Sequence, residues 1–128
     1  VICPGDSYEL DNLLPNLIKN KNPSYIRLGK KGEPLVNKKN KLKLGVPNFI
    51  FKGRDILILS LGNMLSIAFE LGKYLKQKNY SPSVVSVHTL KPFNLILYKK
   101  ILKKYKKIIF IEEHYFHGGL AQKVKSNF

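Results

Sequence analysis

The chain has 128 residues, 44% of them hydrophobic, and carries 23 Lys and Arg against 8 Asp and Glu for a formal net charge of +15. This length suits one domain with a real core, or one domain and part of another. No run of about 18 apolar residues occurs, so no membrane-spanning helix is expected, and the single Cys3 excludes an internal disulfide and suits a reducing cytoplasm.

In chain order, VICPG reads as a short strand ending at a turn. Asp6 or Ser7 can cap the helix that follows, with Glu9 in its first turn, where the helix dipole favours negative charge. That helix, YELDNLLPNLIKN, sets Leu10, Leu13, Leu14, Leu17 and Ile18 on one face, with Pro15 inside the pattern. Asn22-Pro23 stops it, and SYIRLG reads as a second short strand. Residues 34–43 are polar and lysine-rich, the best linker in the chain. This places a domain boundary between residues 1–33 and 44–128.

The second part reads as strand VPNFIF, turn KGRD and buried strand DILILSLG. A helix from Asn63 or Met64 to about Lys78 follows, then strand PSVVSVHTL. Asn94 can cap a helix LILYKKILKKY, and strand KKIIFIEEH leads into a helix beginning at GGLAQKVKSN. The alternation predicts an open, mostly parallel α/β sheet with helices on both faces. The only methionine is Met64, VICPGD is not a secretory leader, and the last helix lacks a stop signal. A piece of a longer protein is therefore expected.

The charge points first to nucleic acid. Arginine occurs only at Arg27 and Arg54, however, so the planar forks that grip phosphates and base edges are scarce. Solvated surface is the better account of the lysines, and nucleic acid is not the expected partner. Phe49, Phe51, Phe69 and Phe110 fall in apolar runs as core.

EEHYFHGG, residues 112–119, is the densest cluster of polar chemistry. As a metal site it fails on geometry, because Glu112 and Glu113 alternate at a strand end and Gly118-Gly119 signals a turn. Gly62 and Gly118-Gly119 each precede a helix, where anions can bind, but neither shows a full glycine fingerprint. Cys3 has no histidine near it in sequence and reads as inert. Arg27 to Lys31 lies at the carboxyl end of a strand, where open α/β sheets hold ligands.

Together, VICPGDSYEL, PSYIRLGK, GRDILILSLGNM, TLKPFN and IEEHYFHGGL resemble, in order, elements of the carboxyl-terminal half of the transketolase family. The resemblance implies the end of a pyrimidine-binding domain (1–33), a linker (34–43) and a transketolase carboxyl-terminal domain (44–128). Asp6, Glu9, Gly62, Pro92, Glu113, His114, Gly118 and Gly119 fall on its motif positions and are expected to be structural. Lys30, with Arg27 beside it, matches the position that contacts a substrate phosphate. Lysine there keeps the charge but loses the bidentate fork.

The whole enzyme would transfer a two-carbon ketol unit between sugar phosphates, using thiamine diphosphate and Mg or Ca. The catalytic glutamate and the cofactor site would lie elsewhere, so this region is expected to bind no cofactor or metal, contribute no catalytic residue and be inactive alone. Its partners would be a diphosphate-binding domain or amino-terminal transketolase subunit, in a homodimer or heterotetramer in the cytoplasm. The alternatives are a 1-deoxyxylulose-5-phosphate synthase, a 2-oxo acid dehydrogenase beta subunit, a non-catalytic assembly subunit or a basic polyanion-binding module.

Overall fold

The computed structural model describes residues 1–30, 32–38 and 41–127. Helix α1 (Ser7–Lys19) precedes a four-stranded sheet of β1 (Asn48–Phe51), β2 (Ile56–Ser60), β3 (Pro82–Ser86) and β4 (Lys107–Ile111), in spatial order β1-β3-β2-β4. Helix α2 (Leu65–Gln77), entered through a 3₁₀ turn at Gly62–Met64, joins β2 to β3. Helix α3 (Leu95–Leu102) joins β3 to β4, and α4 (Leu120–Lys125) follows β4.

β2 pairs in parallel with both β3 and β4. Its sequence ILILS has no polar alternation because all five residues are buried, as expected of a strand covered on both faces. The β2-to-β3 crossover moves one way across the sheet and the β3-to-β4 crossover returns past β2. Right-handed crossovers moving in opposite directions place their helices on opposite faces.

Two apolar cores result. One gathers Leu57, Leu59, Val85, Tyr98, Ile101, Leu120 and Val124 beneath α3 and α4. The other gathers Ile56, Ile58, Val84, Leu65 and Ala68 beneath α2. Phe49 and Phe110 pack half-buried against the first core and Phe51 against the second. Phe69 meets the Phe51 ring edge-on at 5.9 Å.

The sheet is mostly parallel, as expected, and the exception is the edge strand β1, which runs antiparallel to β3 with an irregular register between Phe49 and Phe51. Its connection to β2 is too short for a parallel crossover, which needs a dozen or more residues. The connection passes over the start of β3 instead. Arg54 N and Asp55 N both donate to Ser81 O, at 2.7 and 2.9 Å, and a Cβ on Gly53 would collide with the Ser81 backbone.

The two amino-terminal strand segments shrink to single bridges, Ile2 parallel to Ile26 and antiparallel to Thr89. Pro4 lacks an N–H and Asp6 already caps α1, so pairing ends after three residues. α1 forms as the pattern predicts, but only Leu13 of its apolar stripe is buried, and Ile18 is 74% exposed.

Residues 1–38 are tied to the sheet by polar contacts. Cys3 N donates to His88 O at 2.8 Å and Leu90 N to Val1 O at 3.0 Å. Within the lysine-rich stretch, Val36 N and Asn37 N donate to Asp6 Oδ2 at 3.0 and 2.9 Å. Lys39 and Asn40 of that stretch lie outside the described residues.

Candidate functional site

β2 leads into α2 on one face of the sheet, and its neighbour β4 leads into α4 on the other. Between the carboxyl ends of these two parallel strands the chain diverges. That is where open α/β sheets leave a crevice for ligands.

A cleft of about 480 Å³ occupies this place, lined by Cys3, Arg27, Leu28, Gly29, Lys30, Glu33, Gly62, Asn63 and Glu113. Gly62 and Asn63 come from the end of β2 and Glu113 from the end of β4, while Arg27 and Lys30 form the opposing lip. Gly62 has φ +58 and lies over Cys3, a left-handed conformation that glycine adopts without strain.

The lip and the β4 end are joined. Arg27 Nη2 donates to Glu113 O at 3.1 Å, and Asn63 Nδ2 donates to Glu113 Oε2 at 2.6 Å. Arg27 therefore acts partly as a strut, whereas Lys30 is exposed. Lys31 lies outside the described residues. The Glu33 carboxylate packs on Gly29, where a side chain would collide with it. With two cations and two carboxylates, the cleft suits a ligand that carries hydroxyls beside its anionic group better than a bare anion.

Cys3 is buried, and burial pushes its thiol pKa up against the smaller opposing pull of Arg27 and the amino terminus. The thiolate needed for nucleophilic chemistry is disfavoured.

Asp6 and Glu9 lie away from the cleft in a buried polar network. Asp6 caps α1 by accepting from Glu9 N at 3.0 Å, and its other oxygen accepts from Val36 N, Asn37 N and Asn37 Nδ2. Glu9 accepts from Gly5 N at 2.8 Å, Ser86 Oγ at 2.9 Å and Asn48 Nδ2 at 2.9 Å. Asn48 also donates to Asn37 Oδ1. These donors are neutral, and their number is what lets the carboxylates stay buried.

His88 adjoins this network. Its Nδ1 lies 2.8 Å from Thr89 Oγ1, and its Nε2 is a buried nitrogen with no partner among the described residues. Burial lowers its pKa, opposed by the Glu9 carboxylate and the Val46 backbone.

EEHYFHGG forms a strand-to-helix bend. Glu112, weighed in the sequence only as a metal ligand, accepts from Leu120 N at 2.6 Å and Ala121 N at 2.9 Å and so caps α4. Gly118 has φ +83, and a Cβ on Gly119 would lie 2.7 Å from Glu112 Oε2. His114 stays exposed, with Nδ1 2.8 Å from Tyr115 O. His117 is exposed, its ring lying T-shaped to that of Phe116 at 5.7 Å. Among the described residues no group of three His, Cys, Asp or Glu could hold a metal ion. They do not form a diphosphate–metal site, and no step through such a group follows from them.

Pro92 follows a cis peptide bond. The adjoining Phe93 ring stacks on Tyr98 at 4.2 Å, and Asn94 Oδ1 caps α3 by accepting from Leu97 N at 3.0 Å.

The open mixed sheet, with helices on both faces and a mixed-charge crevice at the strand reversal, defines an open-sheet α/β domain. The profile of the family described as "Transketolase, C-terminal domain" matches residues 48–128, and the chain belongs to that family. It is 34% identical over 94% of its length to 1-deoxy-D-xylulose-5-phosphate synthase of Dictyoglomus turgidum, covering 20% of that protein. It is 27% identical over 94% of its length to a subunit of the apulose-4-phosphate transketolase of Phocaeicola vulgatus, covering 39% of it. Among solved structures, a split-gene transketolase described as an inactive beta4 tetramer superposes with a TM-score of 0.89 at 28% identity, over 98% of this chain and 42% of that one. The chain thus spans about a fifth of the synthase and about two fifths of the other two.

Proposed function

We propose that the chain is the carboxyl-terminal part of a thiamine diphosphate-dependent enzyme that transfers a two-carbon ketol unit between sugar phosphates. Residues 1–33 are assigned to the end of a pyrimidine-binding domain, 34–43 to the connection and 44–128 to the carboxyl-terminal domain. The observation that carries this reading is the cleft at the β2/β4 reversal, with Lys30 exposed on its lip and Glu113 facing it. Lys30 is the phosphate contact in this proposal. Arg27 orders the β4 end, and the remaining motif residues hold the region together.

The thiamine ring would act as the electron sink, and the groups that hold the cofactor and its Mg or Ca lie in other parts of the enzyme. Those parts are a diphosphate-binding domain or a separate amino-terminal subunit. The Phocaeicola relative, itself one subunit of a transketolase, and the neighbour from a split gene support an assembly of more than one subunit; a homodimer or heterotetramer is the form proposed. A cytoplasmic location is part of this proposal, supported by the single free Cys3.

A second reading, a 1-deoxyxylulose-5-phosphate synthase, is favoured by one observation: the Dictyoglomus synthase is more similar in sequence than the transketolase subunit is. The parent enzyme, assayed with thiamine diphosphate and Mg²⁺, separates the two. Ketol transfer between sugar phosphates is the expected result. Formation of 1-deoxyxylulose 5-phosphate instead transfers the assignment to the synthase. Neither activity, with assembly intact, leaves a non-catalytic subunit.

A further inference from the structure

The parallel strands begin at the end of the sheet opposite the cleft, and α2 and α3 finish there. This end collects the positive charge. Residues 71–111 contain no Asp or Glu, and Lys99, Lys100, Lys103, Lys104, Lys106 and Lys107 fall within one nine-residue stretch. All six are exposed. A lysine or two at a helix carboxyl end is explained by the helix dipole; six from the last turn of α3 to the first residue of β4 are not.

The fold adds cations from elsewhere. A recess of about 450 Å³ is lined by Arg54, Tyr80, Lys104, Lys106 and Lys107 with Asp55 and Ile56. The Asp55 carboxylate there accepts from Ser81 N at 2.6 Å. A second recess of about 310 Å³ shares Lys104 and adds Lys52. A third, of about 590 Å³, contains Lys99 and Lys103. Among the described residues no carboxylate forms a salt bridge with Lys103, Lys104, Lys106 or Lys107, so the centre of this band keeps its charge.

We propose that this band is a sequence-blind docking surface for single-stranded nucleic acid, on the face opposite the cleft. Three recesses that meet at Lys103 and Lys104 fit an extended polyanion better than a compact anion. Lysine heads supply point charges for phosphates without the forks that read base edges. Tyr80, 48% exposed at the recess, offers a ring on which a base can stack. The sequence by itself assigns this charge to solvated surface; the fold assembles residues 52–54 and 99–107 into one band.

The test is anisotropy of a labelled oligothymidylate of about 20 nucleotides with the full-length protein, from about 50 to 200 mM salt. The variant K103Q/K104Q/K106Q is compared with a control of equal charge change, K19Q/K21Q/K41Q. The band variant should bind at least about tenfold more weakly, with a log–log salt slope shallower by about 2, as loss of three single-strand phosphate contacts requires. The control should change less than about twofold. Arginine at the same three band positions should restore binding, which separates lost charge from lost folding. Equal weakening in both triple variants overturns the proposal. So does failure of the wild type to bind at about 150 mM salt in the micromolar range, or competition by poly-glutamate as effective as by the oligonucleotide at equal charge.

Discussion

Asn48, the first residue of β1, donates its side-chain amide to Glu9 Oε1 at 2.9 Å across 39 residues of sequence. Both are buried, at 5% and 0% exposure. This contact links the first helix to the sheet, and Gly5 N and Ser86 Oγ complete the set of donors on Glu9. Because all three partners donate, a glutamine at position 9 must turn an N–H₂ toward at least one of them. Glu9→Gln should lower stability by about 1–3 kcal/mol, the cost of an unsatisfied buried donor. Glu9→Gln and Asn48→Ala should be strongly non-additive in urea denaturation, since removing the Asn48 amide leaves a position toward which the glutamine N–H₂ can turn without facing a donor. Additive losses would show that the network does not act as a unit.

Gly72 is set between Phe51 and Val84, where an added Cβ would collide with the Phe51 ring and come within 2.6 Å of Val84 Cγ2. Alanine is favoured over glycine in a helix by about 1 kcal/mol. Overpacking a tight contact costs about 1–3 kcal/mol. The clash should win, so Gly72→Ala lowers the midpoint of thermal unfolding. A raised midpoint would mean that the Phe51 ring moves aside freely.

The elements were legible wherever local pattern decides them. ILILS reads as a doubly covered strand, and Leu65, Ala68 and Gly72 fall at helical spacing on the buried face of α2. Strand direction was not legible at β1, because the side-chain period is the same in parallel and antiparallel sheets. At the site, Lys30, Arg27, Gly62 and Glu113 were marked and do share one cleft. The bond from Arg27 to Glu113 O spans 86 residues, and no local signal announces it. Asn37, Asn48 and Ser86 were missed for the same reason: a polar residue that satisfies a buried carboxylate looks in sequence like any loop or strand residue.

Burial lowers the His88 pKa, against smaller upward pulls from Glu9 and the Val46 backbone. The ring is therefore neutral in the folded protein at a pH where the unfolded chain, with an ordinary value of about 6.5, already takes up a proton. Stability is fully present above about pH 6.5 and declines as pH falls from there toward the folded value, at up to about 1.4 kcal/mol per pH unit. His88→Gln should flatten this slope when urea midpoints at about pH 7.5 and 5.5 are compared. An unchanged slope would assign the effect to other groups.

If Lys30 contacts the substrate phosphate, Lys30→Ala in the parent enzyme should raise KM for the phosphorylated substrate by about 10- to 100-fold, the loss of one charge-assisted contact. The effect on kcat should be small, because the phosphate is remote from the reacting carbon. Lys30→Arg should keep or tighten binding through its bidentate fork. Arg27→Ala should alter kcat as well, since Arg27 also holds the Glu113 backbone. Unchanged KM in Lys30→Ala would remove this residue from the site.

Glu112 tests whether the EEHYFHGG bend is built by capping. Its two oxygens take the Leu120 and Ala121 amides at the start of a six-residue helix whose N-cap residue, Gly119, offers no side-chain cap. So short a helix gains little from its own backbone bonds, and it stays in place mainly because Leu120 and Val124 are buried in the core. Loss of the cap should cost about 1–2 kcal/mol. Amide exchange in Glu112→Ala should quicken across residues 118–125 before the β2 and β3 amides respond. Gly119→Ala should give the same local pattern, because its Cβ displaces the carboxylate from those amides. Global acceleration in both variants would instead make the bend part of the folding core, and no change in either would leave burial of Leu120 and Val124 as the whole of what fixes α4.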